Sequence, residues 1–272
     1  AYIVVQRLGT RGTITGADTG ESAGGTAVYE IGFLISQLPH GVITVSLATA
    51  IIPTLSALAH ERRYDRMRLE LARTMRVALV VIVPLATATA CLGRDGAGVL
   101  RVLKNLDQSA SIVGATISCF ALAMVAFTVH YLVLRGFYAD EDTRTPFFLQ
   151  LVIAVVNIVL AVVLTHQVEP AHVPAALALS FGLAYLVGAA VSSTMLSRRI
   201  GSLLDAEMVR FVVRLVLAAA VAATVMLLLS WGLGSLVTVL VGGGLGAAAF
   251  VAAALAMRLS ELTYLVSSLR RR

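Results

Sequence analysis

Seven apolar runs follow one another along the chain, near residues 28–58, 77–92, 110–134, 147–164, 173–195, 211–229 and 236–257. No other feature limits the possible folds as strongly. A run of about 20 apolar residues matches the hydrocarbon thickness of a bilayer. In lipid every backbone N–H and C=O must be satisfied inside the protein, which leaves the helix as the spanning element for runs of this length. The sequence therefore reads as an all-α polytopic membrane protein with about seven transmembrane helices. The apolar residues 1–8 read as the tail of one more helix whose beginning is missing, so the chain is expected to be a fragment.

Composition agrees. Hydrophobic residues make up 58% of the chain and charged ones only 13%, which excludes one or two soluble domains. A net charge of +6 would suit nucleic acid, but the basic residues cluster in short segments between the apolar runs. Membrane topology explains that clustering better, and no nucleic-acid partner is expected. The segments after the first, third and fifth runs, with the C-terminus, hold 16 Arg, whereas those after the second, fourth and sixth hold three Arg or Lys. By the positive-inside tendency the 16 and the C-terminus lie in the cytoplasm, and the chain is expected to be a multi-pass protein of the inner (plasma) membrane.

The connections carry their own signals. Residues 10–26, rich in Gly, Thr and Ser, read as a loop, and Glu30 as a solvated carboxylate at the membrane surface. In residues 60–76, Tyr64, Met67, Leu71 and Met75 recur at helical spacing, while Arg62, Arg63, Arg66, Arg68, Arg73 and Arg76 cover the other faces. That pattern predicts a basic amphipathic helix lying on anionic headgroups, ahead of a short span kinked at Pro84. Residues 93–108 read as a polar loop and 135–145 as a tight turn. Thr145 reads as the N-cap of the next helix, with Pro146 at its first position. Gly242 and Gly246 form a GxxxG pair in the last run.

The first run is not uniformly apolar. It contains Pro39, His40 and Gly41, flanked by Gln37 and Thr44, with Ser46, Thr49 and Pro53 beyond. Unsatisfied polar groups in hydrocarbon are unfavourable by several kcal/mol each, so these residues face either neighbouring helices or a polar cavity. Asn157 in the fourth run and Ser180 in the fifth pose the same choice, and helix-to-helix bonding is the simpler answer for Asn157. His130, near the end of the third run, is expected to be bonded and structural.

Two motifs bring a resemblance. Gln37-Leu38-Pro39-His40-Gly41, with Thr49-Ala50 and Pro53-Thr54-Leu55-Ser56, resembles the eighth helix of the MurJ (MviN) family of lipid II flippases, within the multidrug/oligosaccharidyl-lipid/polysaccharide exporter superfamily. Gly136-Phe137-Tyr138-Ala139, with Asp142-Thr143-Arg144-Thr145-Pro146, resembles the loop before that family's eleventh helix. The resemblance covers nearly the whole chain but only the second half of the family's architecture. It implies two six-helix lobes around a cavity that opens alternately to each side, plus two added helices forming a groove for the lipid tail. Residues 1–26 would then be a helix tail and extracytoplasmic loop, 27–196 the second lobe, and 197–272 the added pair with a basic tail. Gln37, Pro39, His40, Gly41, Thr44, Asn157 and Ser180 become candidates to line the cavity. A lipid-linked peptidoglycan precursor is the implied substrate, and the missing first lobe a necessary partner. The chain departs from the family at Ile35, where many members carry a cavity Arg, and at Ala161, where a second Asn is common.

No enzyme is expected. His, Cys and Asp never gather at ligand spacing, no phosphate-binding Gly loop is present, and Cys91 and Cys119 read as free thiols. No cofactor or metal is called for. Besides flipping lipid II, two readings stay open: export of another lipid-linked saccharide or small molecule, and a non-transporting scaffold for envelope synthesis.

Overall fold

The computed structural model describes residues 2–19, 25–104, 110–231, 234–259 and 261, and among them it is helical apart from short turns. Helix α1 spans Tyr2–Thr19. It is followed by α2 (Thr26–His60), α3 (Tyr64–Lys104), α4 (Ala110–Ala139), α5 (Arg144–Thr165), α6 (Val173–Ile200), α7 (Ala206–Ser230) and α8 (Ser235–Ala256). The helices from α2 to α8 are all long and apolar enough to cross a membrane. The most apolar stretches of α4 and α6 are 56% buried inside the protein, against 22% for α5, α7 and α8. The first two are therefore the inner posts of the bundle, and the last three present their apolar faces to lipid.

One end of the bundle gathers the basic connections over an apolar core. Leu55 of α2, Met67 and Leu71 of α3, Phe137 of α4, Leu196 of α6, Leu215 of α7 and Phe250 of α8 are all buried there. The stripe Met67–Leu71–Met75 thus packs against protein, not lipid. The basic segment is correspondingly no separate surface helix. It forms the opening turns of α3, which continues without interruption through Pro84 to Lys104.

Three further expectations about helix ends change. The polar residues 93–104 are helical, because α3 and α4 meet there backbone to backbone. A Cβ at Gly114 would lie 2.6 Å from Arg94 Cα, and one at Gly93 would lie 2.8 Å from the Gly114 carbonyl. Residues 105–108 of that expected loop lie outside the described residues. Likewise α1 runs to Thr19, and Thr10 satisfies its hydroxyl within the helix by donating to the Gln6 carbonyl at 2.9 Å. The remainder of that expected loop, residues 20–24, is also outside the described set. Finally, α4 extends past Arg135 to Ala139.

The turn after α4 shows why the motif there has its residues. Glu141 adopts a left-handed conformation (φ 58°), Asp142 N–H donates to the Phe137 carbonyl and Glu141 N–H to that of Tyr138. This is the Schellman helix end. Arg62 and Arg258 close α2 and α8 in the same way. Asp142, not Thr145, then caps α5: its Oδ1 accepts from the backbone N–H of Arg144 and Thr145, and its Oδ2 from the Thr145 hydroxyl at 2.6 Å. Gly136 lies so close to Leu196 that a Cβ would sit 2.5 Å from its Cδ2.

Side chains brace the same end. Arg199 lies 2.7 Å from Asp142, and Tyr64 donates to Asp140 at 3.2 Å. Arg68 crosses over Gly201 to reach the Ser202 carbonyl and Asp205, both at 3.0 Å. Arg76 contacts Glu207 at 2.6 Å and Glu261 at 3.0 Å. Arg63 pairs with Glu61, and Arg62, Arg66 and Arg73 are exposed. Of the six arginines expected on the membrane surface, Arg68 and Arg76 are engaged mainly with the protein.

Candidate functional site

The break expected at Pro39–Gly41 is a change of helix type, not an end. Pro39 has no N–H to donate, and the next turn, His40–Thr44, is wound as a π-helix in which Val45 N–H reaches the His40 carbonyl. Thr26–His60 therefore stays helical throughout. His40 and Thr44 are both buried and turn toward α4. Thr44 Oγ1 lies 3.1 Å from Thr128 Oγ1. The His40 ring lies 4.3 Å from Phe127 and meets Tyr131 edge-on at 4.8 Å. Gln37 and Pro39 are half-buried, and Gly41 is exposed with open space where a Cβ would be. Ser46 and Thr49 are exposed, and their hydroxyls bond back to the Val42 and Val45 carbonyls.

Asn157 and Ser180 form a second, separate group. Ser180 Oγ lies 3.1 Å from Asn157 Oδ1 and 2.8 Å from the Leu177 carbonyl, so its single hydrogen is shared between them. Asn157 also borders a groove of about 460 Å³ with Tyr2, Tyr29, Glu30, Phe33 and Phe181. At its rim, Gln6 donates to Glu30 at 2.8 Å and to Tyr2 at 2.9 Å. The sequence did not single out Gln6, and Glu30 is exposed but hydrogen-bonded.

A run of aromatic rings joins the two groups. Phe33 meets Phe181 at 5.7 Å, Phe181 meets Tyr185 at 4.7 Å, and Tyr185 meets Phe127 at 4.7 Å, from which His40 and Tyr131 follow. Arg135 closes the run, its Cζ 4.1 Å over the Tyr131 ring. Sequence reasoning counted Arg135 as part of a turn. Its signal was the spacing Phe127–Tyr131–Arg135, one helix face in two turns. His130, as expected, is buried and bonded, its Nδ1 3.1 Å from Ser192 Oγ. Among the described residues no group of three His, Cys, Asp or Glu could hold a metal ion.

Two acids at the basic end, Asp142 and Asp205, are held ionised. Burial raises the Asp142 carboxyl, but hydrogen bonds from the Thr145 side chain and backbone, and the Arg199 guanidinium, outweigh it and bring the pKa down to about 2. The Met208 N–H and Arg68 lower that of Asp205 in the same sense, against a smaller effect of burial.

The arrangement is one of packed polar pairs, a bordering groove and a cation stacked inside a spanning helix. It contains no nucleophile with an adjacent base. Comparison with known proteins adds a family. The family model described as "Lipid II flippase MurJ" matches residues 17–242. A "Probable lipid II flippase MurJ" of Rhizobium meliloti (strain 1021) is 28% identical over 134 residues, covering 48% of this chain and 24% of that protein. One of Thermotoga maritima is 26% identical over 226 residues, covering 80% of this chain and 44% of the relative. The solved structure "Lipid II flippase MurJ, inward closed conformation" superimposes with a TM-score of 0.66 at 15% identity, over 84% of this chain and 46% of that one. The chain thus spans less than half the length of each.

Proposed function

From the premise that this chain belongs to the MurJ lipid II flippase family, we propose that it forms one wall of a transporter that carries a lipid-linked peptidoglycan precursor across the membrane by alternating access. The observation that carries the proposal is the family match over residues 17–242, in a chain whose described residues include seven helices long and apolar enough to cross a membrane. A diphosphate with sugars attached cannot enter hydrocarbon, so such a protein must offer a polar path while the lipid tail stays outside. The groove beside Asn157, with Gln6 and Glu30 at its rim, offers polar groups to such a path. Rocking needs a second body, and a match to 46% of the solved flippase chain supports the reading that another lobe supplies the other wall. The basic end is proposed to face the cytoplasm, on the charge bias of the connections.

The test is complementation of a strain depleted of its lipid II flippase. A gene product that joins residues 1–272 to a cationic first lobe is expected to rescue growth, and residues 1–272 alone are not. Rescue by residues 1–272 alone would overturn the two-wall requirement. Failure of both would favour export of another lipid-linked saccharide, or a scaffold role in envelope synthesis.

A further inference from the structure

One carboxylate stands over a groove of rings. Glu30 lies one turn into α2, at the end of the bundle opposite the basic one, and borders the groove of about 460 Å³ beside Asn157. That volume falls in the range of small-molecule sites. Tyr29 and Phe33, one turn apart on α2, hold their rings nearly parallel with centroids 6.3 Å apart. Phe181 of α6 closes against Phe33 at 5.7 Å, almost at a right angle. Val5 and Leu34 add to the apolar lining. Glu30 is exposed, yet it does not sweep freely through water. The Gln6 amide, which also donates to the Tyr2 hydroxyl, donates to Glu30 Oε1 at 2.8 Å and pins it at the rim. Gln6 is neutral, and among the described residues no Arg, Lys or His forms an ion pair with Glu30. A fixed carboxylate beside aromatic faces is a place of negative potential still lacking its cation.

We propose that the groove binds an organic ammonium ion, with Glu30 as counter-ion and the rings of Tyr29, Phe33 and Phe181 around its apolar substituents. The lining selects that class against two others. Ring faces attract a weakly hydrated cation and pack against its alkyl or aryl groups. A hard metal ion instead requires several oxygen ligands. Glu30 is the one acid among the residues lining the groove, and no group of three His, Cys, Asp or Glu occurs among the described residues. A neutral sugar has many hydroxyls to satisfy. Half of the lining, Val5, Phe33, Leu34 and Phe181, offers no side-chain hydrogen bond. A free amine and the headgroup of phosphatidylethanolamine bring the same charged nitrogen, so both are sources of this ligand. The groove also borders the polar path proposed above, but the ligand assignment rests on the groove and not on transport.

The experiment titrates residues 1–272, in the uncharged detergent dodecyl maltoside, with benzyltrimethylammonium at constant potassium chloride. Binding is followed by saturation-transfer NMR, with benzyl alcohol and N-acetylglucosamine as neutral probes. The ammonium is expected to bind about tenfold or more tightly than either neutral probe. Glu30→Gln, which keeps an acceptor for Gln6 but not the charge, should weaken the ammonium about tenfold. Phe33→Leu, which keeps apolar volume but not the ring face, should weaken it about threefold. Glu169→Gln, at an exposed acid beyond α5, should leave binding unchanged. Parent-like affinity in Glu30→Gln, an equal loss in Glu169→Gln, or a neutral probe that binds as tightly as the ammonium would overturn the site. Should Phe33→Leu fail to fold, Glu30→Gln, at an exposed position, decides. Nanodiscs separate the two sources. Weaker probe binding when phosphatidylethanolamine replaces a neutral galactosyl diacylglycerol assigns the lipid headgroup, and unchanged binding assigns the free amine. Growth complementation reads transport separately, so failure of either reading leaves the other standing.

Discussion

Thr44 and Thr128 are both fully buried, and each hydroxyl has the other as partner at 3.1 Å. Removing one leaves the other a buried polar group without its bond, whereas removing both leaves a packed apolar contact. Thr44→Val or Thr128→Val alone is expected to destabilise the protein by about 1 kcal/mol. The double variant should come back close to the parent, and a double-variant cycle on thermal unfolding in nanodiscs measures the difference. Asp142 gives a residue-level prediction with a sign. Its pKa is about 2 in the folded protein against an ordinary 3.8, so its stabilising effect is complete above pH 4 and is lost as pH falls from about 4 through 2. Asp142→Asn should therefore lower the melting temperature at pH 6, and the gap to the parent should close by about pH 2.

Helix packing, more than local propensity, decides where these elements end. Gly114 stands where a Cβ would be 2.6 Å from a backbone atom of α3, a neighbour that cannot swing aside. Gly114→Val is expected to destabilise by about 1–3 kcal/mol through overpacking, more than the same change at Gly41, where nothing lies within 4 Å. Chemical unfolding of the two variants checks the order. The same crossing explains what the sequence could reveal. The spanning helices were legible because lipid permits few alternatives, and the apolar stripe of α3 was legible from its spacing. That residues 93–104 continue the helix was not, since polar residues and three glycines read locally as a loop and only α4 overrides them. The same limit hid the partners of the site. His40 and Thr44 stand out as polar residues in an apolar run, but Thr128, Tyr131 and Arg135 lie on another helix more than 80 residues away in sequence. Asp142 outranked Thr145 as a cap because the left-handed turn at Glu141 aims it at the new helix.

At the scale of the whole molecule, the prediction is one of sides. Arg66 near the start of α3 and Gln167 beyond α5 are both exposed and stand at opposite ends of the bundle. Single cysteines at these positions, in intact cells, should react with membrane-impermeant reagents from opposite sides, Gln167→Cys from outside. Labelling of both from one side would reverse the assignment. The pairs Arg68–Asp205, Arg76–Glu207 and Arg199–Asp142 all lie at the basic end, whereas α3 and α4 meet near the other end through glycines. The bundle is thus a sheaf of rods with a knot of charges at one end. The two ends are fastened by different means, ion pairs at one and close helix contact at the other. The knot is made of charges near water, where screening acts within about 8 Å at physiological salt. Ionic strength, which leaves the apolar rods untouched, is expected to set how firmly that knot holds.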